Sequence, residues 1–383
     1  MIKIVTVIGN RPQFIKAALV SRQFAAMEGG VAEIAVHIHL HHDPNISGVF
    51  FEELELHPPQ YDLHIGSGSH STQTGKMLEE IEAVLMREEP DLVMIYGDTS
   101  VSLAGALAAV KLHIPVAHVE AGVRSVHLRM PEEVNRVLID RISSFLFVPT
   151  EKEVTNLIRE EFPKETIHLV GDVMHDAALY YGKKAEQNSR ILKELGFKAR
   201  EYVLAVIDRP KNTDDALRLK SILSGLQEVS RSIPVVLPLH PRIRTITESE
   251  EESPIGLLTQ KLCESGSRQN ECNKTFLLLS PVGYLDMMML EKNARIIVTD
   301  SGEIQKEAYY YRVPCVTLME ETQWVELIES GWNQMVPPKN TAVIADAVLA
   351  GMKRCGKECQ LYGKGDAAEK IVRILTEKDR RKS

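Results

Sequence analysis

This chain of 383 residues lacks several features that would place it outside the cytoplasm or in a membrane. No uninterrupted apolar stretch approaches the length that a transmembrane helix needs, which argues against a membrane protein. Residues 1–7 enter a strand-like apolar run without a basic region, a longer apolar segment or a small-residue cleavage site. The sequence therefore predicts a cytoplasmic protein.

A surplus of basic residues is also missing, and cysteine is scarce. The formal charge of −8 argues against a nucleic-acid partner or an anionic membrane surface, both of which select for clustered Lys and Arg. The five cysteines form no CxxC pair, so neither a zinc ribbon nor a thioredoxin-like site is indicated. We expect reduced thiols, no metal and no other cofactor.

The residues that are present predict two α/β domains. A hydrophobic content of 44% and a charged content of 26% are typical of soluble globular proteins, and the length suits two cores. Short β-branched runs alternate with helix-length amphipathic stretches, as in parallel sheets with crossover helices. The predicted strands are 2–8, 34–40, 92–96, 115–119, 146–148 and 167–170, then 202–207, 234–239, 275–279, 296–299 and 315–318.

Three carboxylates stand where a ligand site of such a sheet is expected. Asp98 and Glu120 each follow a predicted parallel strand directly, and the carboxyl ends of these strands line the ligand crevice of open α/β sheets. Glu132 and Glu133 follow a proline at a helix start. We interpret Glu132 as functional and Glu133 as a residue that only favours the helix dipole.

The turn after the first predicted strand is suited to an anion. Pro12 fits the first turn of a helix, where unpaired backbone N–H groups can bind a negatively charged group. Arg11 and Lys16 would add positive charge at the same place.

Eight short motifs occur in the order found in one enzyme family, across nearly the whole chain. They are GNRPQFIK at 9–16, GDT at 97–99, HVEAGVRS at 118–125, MPEEVNR at 130–136, VGDV at 170–173, PVGY at 281–284, TDSG at 299–302 and QKEA at 305–308. In these motifs the chain resembles the non-hydrolysing UDP-N-acetylglucosamine 2-epimerases.

The resemblance implies a fold and a reaction. The fold is α/β, with two Rossmann-like domains around a central cleft in the glycosyltransferase-B type architecture. The first domain would comprise residues 1–171 and a C-terminal helix at 364–383, and the second residues 172–363. In the family, UDP is eliminated across C1 and C2 of the sugar to give a 2-acetamidoglucal, and is then added back with a proton on the opposite face.

The resemblance also assigns residues. Asp98, Glu120 and Glu132 match the catalytic carboxylates, although the sequence leaves open which of them removes the C2 proton. The positions that match substrate-binding residues are Arg11, Lys16, Arg136, Asp208, Arg209, His240, Ser301, Gly302, Glu303 and Glu307. The implied ligand is a UDP-sugar, and the implied assembly is a homodimer.

Two acidic residues depart from the family pattern at the expected diphosphate site. The family usually has His where this chain has Asp208, and Gly where it has Glu303. At an effective dielectric constant near 20, like charges about 4 Å apart repel by about 4 kcal/mol, unless rotation, protonation or a metal ion relieves them. Two alternatives follow: a diverged enzyme with a less anionic sugar substrate, or a catalytically silent binding homologue.

A third departure is rich in histidine. His37, His39 and His41 alternate along one predicted strand, where the family commonly carries HTGQHYD at 37–43. The alternation is compatible with a divalent metal, but paired or solvent-facing histidines are commoner, so no metal is expected.

Overall fold

A computed structural model of the chain describes residues 1–27, 30–39, 53–125, 130–239 and 275–379. The chain divides into two compact units, which we call the first unit (1–179 and 360–383) and the second unit (180–359). Each unit is built on one parallel sheet, which confirms the predicted α/β fold class. Within the described ranges, the helices are all too short or too polar to cross a membrane.

The first unit contains a seven-stranded sheet in the order β3-β2-β1-β4-β5-β6-β7, with every neighbouring pair parallel. Its strands are β1 (Ile2–Ile8), β2 (Val31–His39), β3 (Tyr61–His64), β4 (Leu92–Tyr96), β5 (Val116–Val119), β6 (Phe145–Val148) and β7 (Ile167–Leu169). All five residues of β4 are buried, as expected for a central strand covered on both faces.

Several helices of the first unit begin at residues whose side chains accept hydrogen bonds from the first N–H groups of the helix. The helices of this unit are α1 (Arg11–Ala26), α2 (His70–Glu88), α3 (Ser100–Lys111), α4 (Pro131–Ile142), α5 (Glu151–Arg159), α6 (Val173–Asn188), which continues into the second unit, and α14 (Ala367–Asp379). Asn10 and Gln13 form a capping box at the start of α1, and the Thr99 hydroxyl caps α3. These caps fix where the loops after β1 and β4 turn into helices.

The second unit contains a six-stranded parallel sheet in the order β10-β9-β8-β11-β12-β13. Its strands are β8 (Val203–Val206), β9 (Val235–Pro238), β10 (Phe276–Leu279), β11 (Ile296–Thr299), β12 (Cys315–Thr317) and β13 (Asn333–Met335). The helices are α7 (Ile191–Leu195), α8 (Pro210–Thr213), α9 (Ala216–Ser230), α10 (Tyr284–Asn293), α11 (Gly302–Tyr310), α12 (Val325–Glu329) and α13 (Thr341–Gly351). The core lies between this sheet and helices such as α9 and α13.

Candidate active site

The loops after β4 and β5 hold the first two predicted carboxylates. Gly97 has a φ of +62° and Glu120 a φ of +75°, which is a left-handed conformation that few residues other than glycine adopt. Strained backbone of this kind concentrates at functional sites. The geometry therefore fits the assignment of both loops to a site at the carboxyl edge of the sheet.

Each of these carboxylates is paired with a buried cation. Glu120 forms an ion pair with Lys16 of α1, and Asp98 contacts Arg136 of α4 at 2.5 Å. The side chains of Lys16 and Arg136 are only 4% and 6% exposed. The structure thus brings two predicted catalytic residues and two predicted binding residues together at one edge of the first sheet.

Glu133 differs from its predicted role. It is buried, its carboxylate lies 2.7 Å from the Arg136 guanidinium, and it accepts a hydrogen bond of 2.9 Å from the backbone N–H of Ser125. The interpretation of Glu133 as a residue that only favours the helix dipole was wrong, because the carboxylate holds Arg136 in place. Its i, i+3 spacing from Arg136 was the signal in the sequence. Glu132 is exposed in the first turn of α4.

The side chain of Gln13 connects two loops of the site by hydrogen bonds, a role that the sequence analysis did not assign. Its side-chain oxygen accepts hydrogen bonds from the N–H groups of Gly9 and Asn10. Its amide nitrogen lies 2.9 Å from the carbonyl of Tyr96 and 2.8 Å from the hydroxyl of Ser102. Gln13 therefore ties the loop after β1 to the loop after β4.

A fully buried His118–Asp140 pair supports both catalytic loops. The Nδ1 of His118 lies 2.7 Å from Asp140 and its Nε2 lies 3.0 Å from the carbonyl of Gly97, next to Asp98. The second oxygen of Asp140 accepts hydrogen bonds from the N–H of Gly122 and from Arg124. Burial opposes ionisation of Asp140, but His118 and Arg124 hold its pKa below the ordinary value.

In the second unit, Asp208 lies beside a second carboxylate that the sequence analysis did not single out. Asp300 follows β11, the neighbour of β8, and accepts hydrogen bonds from the backbone N–H of Asp208 at 2.9 Å and from Asn212 at 2.9 Å. Burial raises the pKa of Asp300 to about 6, and the charge of Asp208 adds to the rise. The pair therefore takes up a proton as the pH falls through about 6.

Glu303 is also compensated. Its carboxylate lies 3.3 Å from the ammonium group of Lys306, which is fully buried one turn further along α11. That ammonium group also lies 4.3 Å from the ring of Trp324. Glu303, which stands where the family usually has Gly, therefore forms an ion pair with Lys306.

The start of α11 is an environment suited to an anion. A Cβ atom at Gly302 would lie 3.7 Å from the Arg209 guanidinium and 3.6 Å from Nε1 of Trp324. This indole N–H is buried, and no acceptor for it occurs within the described ranges. Backbone N–H groups at the first turn of a helix, a guanidinium and an unpaired indole donor together suit a phosphate group. Trp324 was not predicted.

The remaining predicted binding residues have different placements. Ser301 precedes α11, Glu307 is buried within α11, and Arg11 is exposed at the first residue of α1. His240 lies outside the described residues.

The chain is similar to known proteins over almost its full length. A family model described as UDP-N-acetylglucosamine 2-epimerase matches residues 25–376. A Pseudomonas aeruginosa relative, UDP-2,3-diacetamido-2,3-dideoxy-D-glucuronate 2-epimerase, is 42% identical over 97% of this chain and 99% of its own. The UDP-N-acetylglucosamine 2-epimerase of Methanocaldococcus jannaschii is 41% identical over 98% of this chain and 99% of its own.

Solved structures show the same similarity to UDP-GlcNAc 2-epimerases. The Methanocaldococcus jannaschii UDP-GlcNAc 2-epimerase in complex with UDP-GlcNAc and UDP is 40% identical, with a TM-score of 0.85 over 98% of this chain and 99% of that one. The Neisseria meningitidis UDP-GlcNAc 2-epimerase bound to UDP-GlcNAc is 26% identical, with a TM-score of 0.84 over 98% of this chain and 100% of that one. The chain therefore belongs to the UDP-N-acetylglucosamine 2-epimerase family, a family of nucleotide-sugar isomerases, as its motifs predicted.

Proposed function

We propose that this protein inverts C2 of a UDP-2-acetamido sugar, with UDP-N-acetylglucosamine as the first candidate substrate. One observation carries the proposal: Asp98 and Glu120, at the ends of neighbouring strands, are each paired with a buried cation. The reaction needs carboxylates for proton transfer at C2 and cations for the departing diphosphate, and this edge of the sheet supplies both.

The chemistry follows from the atoms involved. A carboxylate removes the proton from C2 while the bond from C1 to the diphosphate oxygen breaks, and the electron pair of that bond leaves with UDP. A C1=C2 double bond remains, in a 2-acetamidoglucal. UDP then adds back to C1 as a carboxylic acid delivers a proton to the opposite face of C2. We assign these transfers to Asp98, Glu120 and Glu132.

Compensation of one of the two acidic departures supports a diphosphate ligand. Lys306 forms an ion pair with Glu303, whereas Asp208 lies beside Asp300, whose pKa is raised to about 6. We propose that Arg209 and the N–H groups at the start of α11 bind the diphosphate, with Ser301, Gly302 and Glu307 as neighbours. This arrangement favours a UDP-sugar over a less anionic substrate.

The second candidate substrate is the UDP-2,3-diacetamido-2,3-dideoxy-D-glucuronate named for the Pseudomonas aeruginosa relative, which is 42% identical. Similarity alone supports it.

The test is an epimerisation assay by NMR with each of the two sugars. We expect the purified protein to convert one of them to its C2 epimer, and Glu120→Gln to lose nearly all turnover. Glu80→Gln, an exposed residue in the middle of α2, is the matched control and should retain full activity. If the protein binds UDP but converts neither sugar, the catalytically silent alternative replaces this proposal.

We further propose, from the family resemblance, that the protein is a homodimer in the cytoplasm. Light scattering coupled to gel filtration would then give about twice the 42.9 kDa of one chain. A mass of a single chain at micromolar concentration would exclude the dimer.

A further inference from the structure

Three histidines and an aspartate lie together at the carboxyl ends of β2 and β3, apart from the residues assigned above. His37 and His39 belong to β2, and the parallel register places them beside Asp62 and His64 of β3, respectively. Residues two apart on a strand face the same side of the sheet, so the register brings four potential metal ligands to one surface. We call this group the histidine cluster.

The distances within the histidine cluster approach those of a metal site. Asp62 Oδ1 lies 3.2 Å from His37 Nδ1 and 2.5 Å from His39 Nε2, and all three ligand atoms lie within 4.8 Å of one another. Bonds of about 2.0–2.1 Å at tetrahedral angles would separate the ligand atoms by about 3.3 Å. Side-chain adjustments of about an ångström or less would therefore place all three around one ion.

Hydrogen bonding alone does not account for the arrangement. The Nε2 atom of His39 is buried and has no hydrogen-bond partner among the residues that the structure describes, although Asp62 Oδ1 lies only 2.5 Å away. A lone pair on each of two such close atoms repels the other unless a proton or a cation lies between them. A cation bound to both atoms and to His37 would remove this repulsion.

The charges and surroundings also suit a divalent ion. Asp62 contributes a carboxylate, and the side chains of His37 and His39 are only 3% and 13% exposed. The ring of Phe14 packs edge-on against His37 at 4.8 Å and shields this side of the cluster.

We propose that His37, His39 and Asp62 bind one divalent transition-metal ion of the zinc class. His64 is the candidate for a fourth ligand, because its ring stacks on His39 at 4.5 Å and its Nε2 lies 3.8 Å from Asp62 Oδ2. Two imidazoles and a carboxylate are a donor set that zinc accepts. His41, which alternates with His37 and His39 in the sequence, lies outside the described residues.

The proposed ion would fasten the edge of the first sheet. Among the described strands, β3 is terminal in that sheet and pairs with β2 alone. A metal bound by residues of both β2 and β3 would hold the ends of these strands in register. Phe14 of α1, whose helix follows β1, packs against His37 at this place. Position 39, commonly Gly in the family, is His in this chain, so the site would be a local addition to a family fold.

The test is zinc binding by the full-length protein, dialysed against a chelator and then titrated calorimetrically with Zn²⁺ alone. We expect one equivalent of Zn²⁺ per chain, and visible absorption typical of tetrahedral coordination when Co²⁺ is used instead. His39→Gln and Asp62→Asn should each weaken binding at least about tenfold. Asp62 is half exposed, so its substitution should leave the fold intact, which circular dichroism would verify.

The matched control is His70→Gln, an exposed histidine at the start of α2, which should bind zinc as the unaltered protein does. Equal zinc binding by the unaltered protein, His39→Gln and Asp62→Asn would overturn the proposal, and so would the absence of any binding to the unaltered protein. Because binding is measured without a sugar substrate, this result is independent of the proposed epimerase activity.

Discussion

Replacing Asp208 by Asn should stabilise the protein near neutral pH and have little effect at acid pH. The pKa of Asp300 is raised from 3.8 to about 6. At about 1.4 kcal/mol per pH unit, this difference means that ionising Asp300 costs the folded state about 3 kcal/mol. Burial is the largest cause, so we assign about 1 kcal/mol of this cost to Asp208. Asn at this position keeps the shape of the side chain and the backbone N–H that donates a hydrogen bond to Asp300.

The sign of the pH dependence follows from linkage. A carboxyl group whose pKa is raised by folding is most favourable to the folded state below its unfolded pKa, and this contribution is lost as the pH rises through 6. At pH 7.5 both carboxylates repel each other, whereas at pH 4.5 Asp300 holds a proton. Asp208→Asn should therefore raise the free energy of unfolding by about 1 kcal/mol at pH 7.5 and by almost nothing at pH 4.5.

Urea denaturation of the unaltered and variant proteins at both pH values measures this difference directly. Asp346→Asn, an exposed carboxylate on α13, is the matched control and should change stability equally little at both pH values. A destabilising effect of Asp208→Asn at pH 7.5, or the same effect at both pH values, would refute the reasoning.

Three further substitutions test the site. Lys306→Met removes the ammonium partner of Glu303. If a bound phosphate lies about 6 Å from Glu303, the repulsion should weaken UDP binding about a hundredfold in calorimetry; a Lys306→Met, Glu303→Gln double variant should regain most of it. Glu133→Gln removes one of the two carboxylate partners of Arg136, and urea denaturation should show a loss of about 1–3 kcal/mol. His118→Phe removes both hydrogen bonds below the catalytic loops, so kcat should fall more than tenfold while the Kd for UDP, measured by calorimetry, changes little. Equal losses in kcat and UDP affinity for His118→Phe would assign this histidine a general structural role instead.

The central strands could be predicted from the sequence, but one edge strand of each sheet could not. β4 and β11 are short apolar runs that are buried along their whole length, and such runs are visible without a structure. β3 alternates between partly buried and exposed residues, and β13 is the three-residue run Asn-Gln-Met. Neither contains enough apolar residues to stand out, and only pairing with a neighbouring strand defines them as strands.

The residues of the site divide in the same way. Some are indicated by the local sequence, and the contacts of others are visible only in the tertiary structure. The rule that ligands meet the carboxyl ends of parallel strands located Asp98 and Glu120, because both follow strands with clear apolar patterns. It could equally have located Asp300, which follows β11 directly. The surroundings of the acidic departures depend instead on tertiary contacts, such as the pair of Lys306 with Glu303 and the hydrogen bond from the backbone N–H of Asp208 to Asp300.

The most direct test of the central claim is deuterium incorporation at C2. UDP-N-acetylglucosamine incubated with the protein in deuterium oxide should acquire one deuteron at C2 and appear as a mixture of the two C2 epimers, observed by proton NMR and mass spectrometry. The same experiment with UDP-2,3-diacetamido-2,3-dideoxy-D-glucuronate distinguishes the two candidate substrates. Epimerisation without deuterium uptake would contradict the proposed elimination and re-addition, and the absence of both with either sugar would contradict the assignment of an epimerase activity.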